Sequence, residues 1–257
     1  MEVFPPAARP FLLIQTRPED DASAAEATSV RRLGGYTDDT LTAFRLEEHV
    51  TVHPEQPVDW GALLAEHSGV ILSGSPFTTS DPEESKSELQ HRVETELARM
   101  LEVLRRDEIP FLGCCYGVGT LGRHAGGTVD TAYGEKPGPV TVTLTEAGAA
   151  DPLLEGLPEQ FFAYVGHKEG LTVPPEGAVV LATGERCPIQ MFRLGRHQYA
   201  TQFHPELDQD GLLERLRIYA HHGYMEPHEA EDVFARIRAR QAPLPPRILE
   251  NFRRIYG

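Results

Sequence analysis

Over the first 127 positions the apolar residues fall into short unbroken runs and one long helical repeat. "FLLIQ" (11–15), "GVILSG" (69–74) and "IPFLG" (109–113) are compact apolar stretches bounded by turn residues, the pattern of strands covered on both faces. "TAFRLEE" (42–48) alternates and predicts a further strand. Residues 84–107 carry Leu89, Val93, Leu97, Leu101 and Leu104 at three- and four-residue spacing with charge opposite, which predicts an amphipathic helix. Residues 20–33 begin with acids and end with arginines before Gly34-Gly35, the charge polarity of a helix with a glycine stop. A short helix is expected over 60–67. Strands and helices in this alternation imply a parallel sheet with helices on both faces.

Beyond residue 127 the texture changes. "GPVTVTL", "QFFAYVG", "GAVVLAT", "PIQMFRL" and "QYATQF" read as short strands separated by turns, an antiparallel or mixed extension. The end of the chain returns to helix in "LLERLRIYAHHGY" (212–224) and "HEAEDVFARIRAR" (228–240). "APLPP" (242–246) then breaks the chain before a helical tail. We expect residues 1–207 to form one α/β domain and 208–257 a helical extension packed on it. The apolar positions Leu216, Ile218, Phe234 and Ile237 are expected to cover the sheet.

Composition narrows the function classes. Lys and Arg number 24 against 39 Asp and Glu, a formal charge of −15. So acidic a chain lacks the basic surface that nucleic acids and anionic membranes require, and neither is expected as a partner. No stretch approaches the roughly 18–20 consecutive apolar residues of a membrane span. The N-terminal "MEVFPPAARP" has an early acid and no apolar signal core. Three cysteines, two of them adjacent, make a poor disulfide framework, so a reducing cytoplasm is the expected location.

Those adjacent cysteines, Cys114 and Cys115, stand in "FLGCCYGVGTLG" (111–122), where an apolar run meets a helix start. A strand-to-helix turn lifts a side chain clear of the sheet and aims free helix amides at it. The pattern Gly-x-nucleophile-x-Gly fits Cys115, flanked by Gly113 and Gly117; centring it on Cys114 would put Leu112 and Tyr116 at the glycine positions. Cys114 is then a small core hydrophobe. Gly119 would allow close approach of a substrate. "TQFHPEL" (201–207) offers His204 as a base and Glu206 two residues on to orient it, with Pro205 holding the backbone extended. "ILSGSP" (71–76) runs a strand into a loop whose amides, near Gly74 and Ser75, face the same sheet edge and could hold an oxyanion.

The order "GVILSGSP", "IPFLGCCYGVGTLGRHAGG", "YVGHKEGLTVPP", "YATQFHPE" resembles the class I glutamine amidotransferases. Within them it is most similar to the glutaminase domain of GMP synthase and its stand-alone relatives, over roughly residues 60–207. The resemblance implies an α/β fold: a mostly parallel, flavodoxin-like central sheet with helices on both faces, a small antiparallel or mixed extension and a helical C-terminal segment. It implies Cys115 as nucleophile, His204 as base, Glu206 as its acidic partner, and the amides of Ser75 and Tyr116 as oxyanion donors. His167 and Glu169 correspond to residues beside the substrate. Neither metal nor organic cofactor is implied. The expected activity is hydrolysis of glutamine to glutamate and ammonia, with a separate synthetase subunit as a candidate acceptor of the ammonia.

The chain departs from the family pattern at one informative place. The family has His-Gln after the nucleophile turn, and this chain has Val118-Gly119. Lys168 also replaces a glycine. Two other expectations therefore stand beside glutamine hydrolysis: a stand-alone hydrolase of a γ-glutamyl compound or other amide, and a non-catalytic binding module on the same fold.

Overall fold

The computed structural model describes residues 9–219 and 230–257. The first eight residues of the N-terminal segment, the end of the stretch 212–224 and the start of 228–240 lie outside the described residues.

The apolar runs form the strands β1 (Phe11–Gln15), β3 (Val70–Leu72) and β4 (Phe111–Cys114), with β2 (Leu41–Arg45) beside β1. The order β2-β1-β3-β4 continues into β11 (Gln198–Thr201), and all neighbours in this series are parallel. That is the flavodoxin-like order. From β11 the same sheet runs on, antiparallel, through β10 (Met191–Leu194), β9 (Ala178–Gly184), β6 (Glu135–Leu144) and β7 (Gln160–His167). The extension is thus continuous with the parallel half, giving a nine-stranded sheet. Two short strands that the sequence reading passed over, β5 (Thr128–Asp130) and β8 (Gly170–Val173), pair separately.

Successive residues of a strand point to opposite faces, and the core divides accordingly. Leu13, Ile71 and Leu112 pack on one side with α1 (Asp20–Gly34) and α9 (Pro246–Tyr256), through Val30, Leu249 and Phe252. Leu12, Ile14, Val70, Leu72 and Phe111 pack on the other. There they meet α2 (Leu46–Val52), α3 (Trp60–Ala65), α4 (Glu88–Arg106) and α5 (Tyr116–His124). In α4, Val93, Leu97, Leu101 and Leu104 are fully buried, and truncating any of the three leucines to alanine costs about 2–5 kcal/mol.

Three local readings change. "TAFRLEE" is a strand only to Arg45; Leu46 and Val50, one helical turn apart, are buried as the inner face of α2. α4 begins at Glu88, not 84, because the Ser87 hydroxyl caps it by accepting from the Gln90 amide at 3.1 Å. The C-terminal helices do more than cover the sheet edge. Beyond the single turn α6 (Glu146–Ala149) that follows β6, α7 (Gln209–Ile218) and α8 (Ala230–Ala239) build a core of their own around Tyr164, from Leu212, Leu213, Leu216, Val233 and Ile237.

Candidate active site

β4 passes into α5 through Cys115, whose backbone sits at φ 54° and ψ −84°. A residue with a Cβ pays about 1–3 kcal/mol to hold such a conformation, so the surrounding structure must impose it. It does so from two sides. The Cys115 amide donates to the Thr201 carbonyl at the end of β11, at 2.7 Å. A Cβ at Gly113 would stand 2.7 Å from the Gly117 Cα, so the turn closes this tightly only with glycine at 113. Gly117 itself faces open space. The two cysteines part company here. Cys114 is fully buried in the core, where burial and then the nearby Glu206 carboxylate push its thiol well above the ordinary range. Cys115 is half-buried and lines a cavity.

β11 delivers the second component. Its parallel pairing with β4 sets Thr201 beside Cys114, and the chain then turns into His204 and Glu206. The His204 amide donates to the Tyr164 carbonyl at 2.9 Å. The His204 Nδ1 lies 2.6 Å from the Glu206 Oε1, and both side chains are buried. Burial opposes charge on His204, but the Glu206 carboxylate and the Cys115 sulfur outweigh it and raise the imidazole to about 9. Burial likewise opposes charge on Glu206, yet His204 and then Arg215 lower it to about 2. The Cys115 sulfur is, after Glu206, the group that most favours the charged imidazole, so Cys115, His204 and Glu206 stand in one neighbourhood.

Behind the carboxylate is a buried ion network absent from the sequence reading. Arg215 of α7 reaches Glu206 Oε1 at 3.4 Å and Glu26 Oε1 of α1 at 3.1 Å, and Arg17 reaches the same Glu26 oxygen at 3.1 Å. Arg215 did leave a trace in the sequence: it is the charged residue on the apolar stripe Leu212, Leu213, Leu216.

The remaining predicted residues divide. Ser75, Tyr116 and His167 line the cavity with Cys115; Gly74 and Gly119 are not among its lining residues. Gly74 lies under the imidazole, where a Cβ would come within 3.1 Å of His204 Cε1. Tyr116 is the first residue of α5, so its amide has no acceptor within the helix. At Gly119 a Cβ would stand 2.5 Å from Thr79 Oγ1 and 2.7 Å from Glu169 Oε1. The space beside Gly119 is therefore filled by protein, against the expectation of room for a substrate there. Glu169 is fixed in that place by the amides of Thr79 at 2.9 Å and Ser80 at 2.7 Å, and by the Thr79 hydroxyl.

Glu135, His167 and Cys187 bring ligand-type atoms within 4.8 Å of one another. Both ring nitrogens of His167 are already engaged, Nε2 with Glu135 at 2.9 Å and Nδ1 with the Glu169 carbonyl at 2.7 Å. A metal could enter only by breaking one of these bonds. No helix among the described residues is long and apolar enough to cross a membrane.

Known proteins resemble this chain in sequence and in fold. The family described as "Glutamine amidotransferase class-I" matches residues 38–211. The GMP synthase [glutamine-hydrolyzing] of Porphyromonas gingivalis is 35% identical over 140 residues, 54% of this chain and 25% of the relative. That of Lactobacillus delbrueckii subsp. bulgaricus is 35% identical over 154 residues, 59% of this chain and 27% of the relative. The matched part spans about a quarter of the length of these curated relatives. Among solved structures, a glutamine amidotransferase from Thermotoga maritima superposes with a TM-score of 0.64 at 19% identity, covering 94% of this chain and 98% of the other. One from Methylobacillus flagellatus gives 0.66 at 17% identity, covering 97% and 94%. At such identities the structural likeness speaks for the fold.

Proposed function

The chain belongs to the class I glutamine amidotransferase family, and from that premise we propose that it hydrolyses a carboxamide through Cys115, His204 and Glu206, with glutamine as the reference substrate. The observation that carries the reading is the grouping of a half-buried sulfur at a strained turn with an imidazole whose charge it favours and a carboxylate 2.6 Å from that imidazole.

The steps follow from the groups present. His204 takes the Cys115 proton, and the sulfur attacks the carboxamide carbon, forming a C–S bond as the C–O π electrons move to oxygen. The amides of Ser75 and Tyr116 receive that oxyanion. Collapse breaks the C–N bond, and the nitrogen leaves with the proton from His204. Water then gives a proton to His204 as it attacks the thioester, and the acid departs as the sulfur recovers its starting state. Glu206 orients the imidazole and stabilises its cation throughout. The glutamine-hydrolysing names of the GMP synthase relatives support glutamine as substrate, and delivery of ammonia to a separate synthetase subunit is part of the proposal. Conditions inside the cytoplasm, which keep thiols reduced, suit a free nucleophilic cysteine.

The test compares two single variants. Cys115→Ala is expected to abolish ammonia release from glutamine and labelling by a glutamine-mimicking electrophile, and Cys114→Ala to retain both. Loss in the Cys114 variant with retention in the Cys115 variant would overturn the assignment.

A second reading, a hydrolase of a larger amide, draws on one observation. Thr79 and Glu169 occupy the space beside Gly119, so recognition of the rest of the substrate must come from elsewhere in the cavity.

A further inference from the structure

The cavity in front of Cys115 has a volume of about 1170 Å³, at or beyond the roughly 300–1,000 Å³ that hold drug-sized ligands and far more than one amino acid fills. Its electrostatics run against those of the molecule. The chain carries −15 overall, yet the cavity wall includes Lys168, Arg186, Arg236 and Arg240, and Lys136 lies beside them. Among the described residues the carboxylates lining it are Glu135 and Glu169, and both are spent on protein donors. Glu135 accepts from the His167 ring and from the Gln190 amide at 2.7 Å, and Glu169 accepts from Thr79 and Ser80.

The cations are left otherwise. Lys168, Arg186, Arg236 and Arg240 form no salt bridge with another described residue. Arg186 and Arg236 donate to the backbone carbonyls of Gly134 and Pro137, and Arg240 stacks on the Phe162 ring at 4.3 Å. Carbonyl and ring contacts orient a guanidinium without neutralising it. An acidic protein repels anions at a distance, so a cationic cavity wall creates a local reversal that concentrates them at the reactive sulfur.

We infer that, beyond glutamine itself, the site takes a larger amide with net negative charge, whose carboxylate or phosphate, remote from the scissile carbonyl, is held by the Lys168, Arg186, Arg236 and Arg240 wall. The inference rests on the reading of Cys115 as nucleophile. It also gives Glu169 a role: by filling the space at Gly119 it leaves the cationic wall as the part of the site that recognises the remainder of the molecule.

The experiment uses two matched pairs of amides. γ-Glutamylglycine is compared with γ-glutamylmethylamide, which place or omit an anion on the leaving amine. N-acetylglutamine is compared with glutamine, which removes or keeps the compensating ammonium. In at least one pair the anionic member is expected to have kcat/KM about tenfold higher or more, a ratio equivalent to about 1.4 kcal/mol. Raising the salt, or the double change Arg236→Gln with Arg240→Gln, is expected to bring that ratio down several-fold. Ratios near one in both pairs, or a ratio indifferent to salt and to the double variant, would overturn the inference and leave the Cys115 assignment standing. Calorimetric binding of the same amides to the Cys115→Ala protein separates the two failures. Anion preference in binding without any Cys115-dependent hydrolysis would overturn the catalytic reading and the substrate assignment with it.

Discussion

The Arg215 guanidinium stands between two buried carboxylates, 3.4 Å from Glu206 and 3.1 Å from Glu26. It thereby ties the helix α7 to the acid that orients His204. Arg17 on Glu26 and His204 on Glu206 share the task, but Arg215 is the cation that serves both buried carboxylates.

Arg215→Met should therefore leave both carboxylates short of a buried partner and cost about 3–5 kcal/mol of stability. Activity should fall chiefly in kcat, because the damage reaches the substrate through Glu206 and His204. Arg215→Lys should recover part of both. Urea denaturation and steady-state kinetics on the pair of variants check this; a KM effect alone would contradict it.

The turn at Cys115 makes a prediction in the opposite direction. Glycine accepts a φ of 54° without the cost borne by a residue with a Cβ. Cys115→Gly should be more stable than Cys115→Ala by about 1 kcal/mol, with both inactive. Thermal denaturation of the two variants side by side reads the difference.

Crowding at Gly119 is equally direct. Gly119→Ala places a methyl within 2.5 Å of Thr79 Oγ1 and 2.7 Å of Glu169 Oε1, which forces one of them to move. Overpacking of this kind costs about 1–3 kcal/mol. Adding Thr79→Ala should recover part of that loss, so the double variant falls short of the sum of the singles. An additive pair in chemical denaturation would mean the contact is relieved elsewhere.

The His204–Glu206 pair sets a pH window. Glu206 is lowered to about 2, so its stabilising contribution is present above its ordinary value and is lost as pH falls from about 4.5 toward 2. His204 is raised to about 9, so its contribution is full below about 6.5 and is lost as pH rises from there to about 9. Melting temperature should therefore decline on the alkaline side between about 6.5 and 9. Glu206→Gln should flatten that decline, because the charge that holds the His204 proton is gone. A slope identical to the parent protein's would refute the coupling.

Much of this architecture is legible in the sequence. "FLLIQ", "GVILSG" and "IPFLG" became β1, β3 and β4 because an apolar run with turn residues at both ends has little choice in a buried sheet. Gly113 pointed to the turn at Cys115, since a side chain there would collide with Gly117. Elsewhere local pattern misled. "TAFRLEE" alternates like a strand throughout, but its second half is helix because Leu46 and Val50 are wanted on one buried face. Gly119 looked like room for a substrate, and its real neighbours, Thr79 and Glu169, come from distant parts of the chain.

The sequence by itself determined the local pieces: which runs are strands, where α4 carries its apolar face, which of two adjacent cysteines sits at a glycine-flanked turn. These follow from forces acting over a few residues, through backbone sterics, side-chain periodicity and burial of contiguous apolar surface. Only the tertiary structure decided what meets what. The pairing of β11 with β4 brings His204 to Cys115, α7 carries Arg215 to Glu206, and Glu169 reaches across to the Thr79 loop. Each of these contacts joins residues far apart in the chain, and the free energy that selects them belongs to the assembled core and its buried charges, not to any one segment.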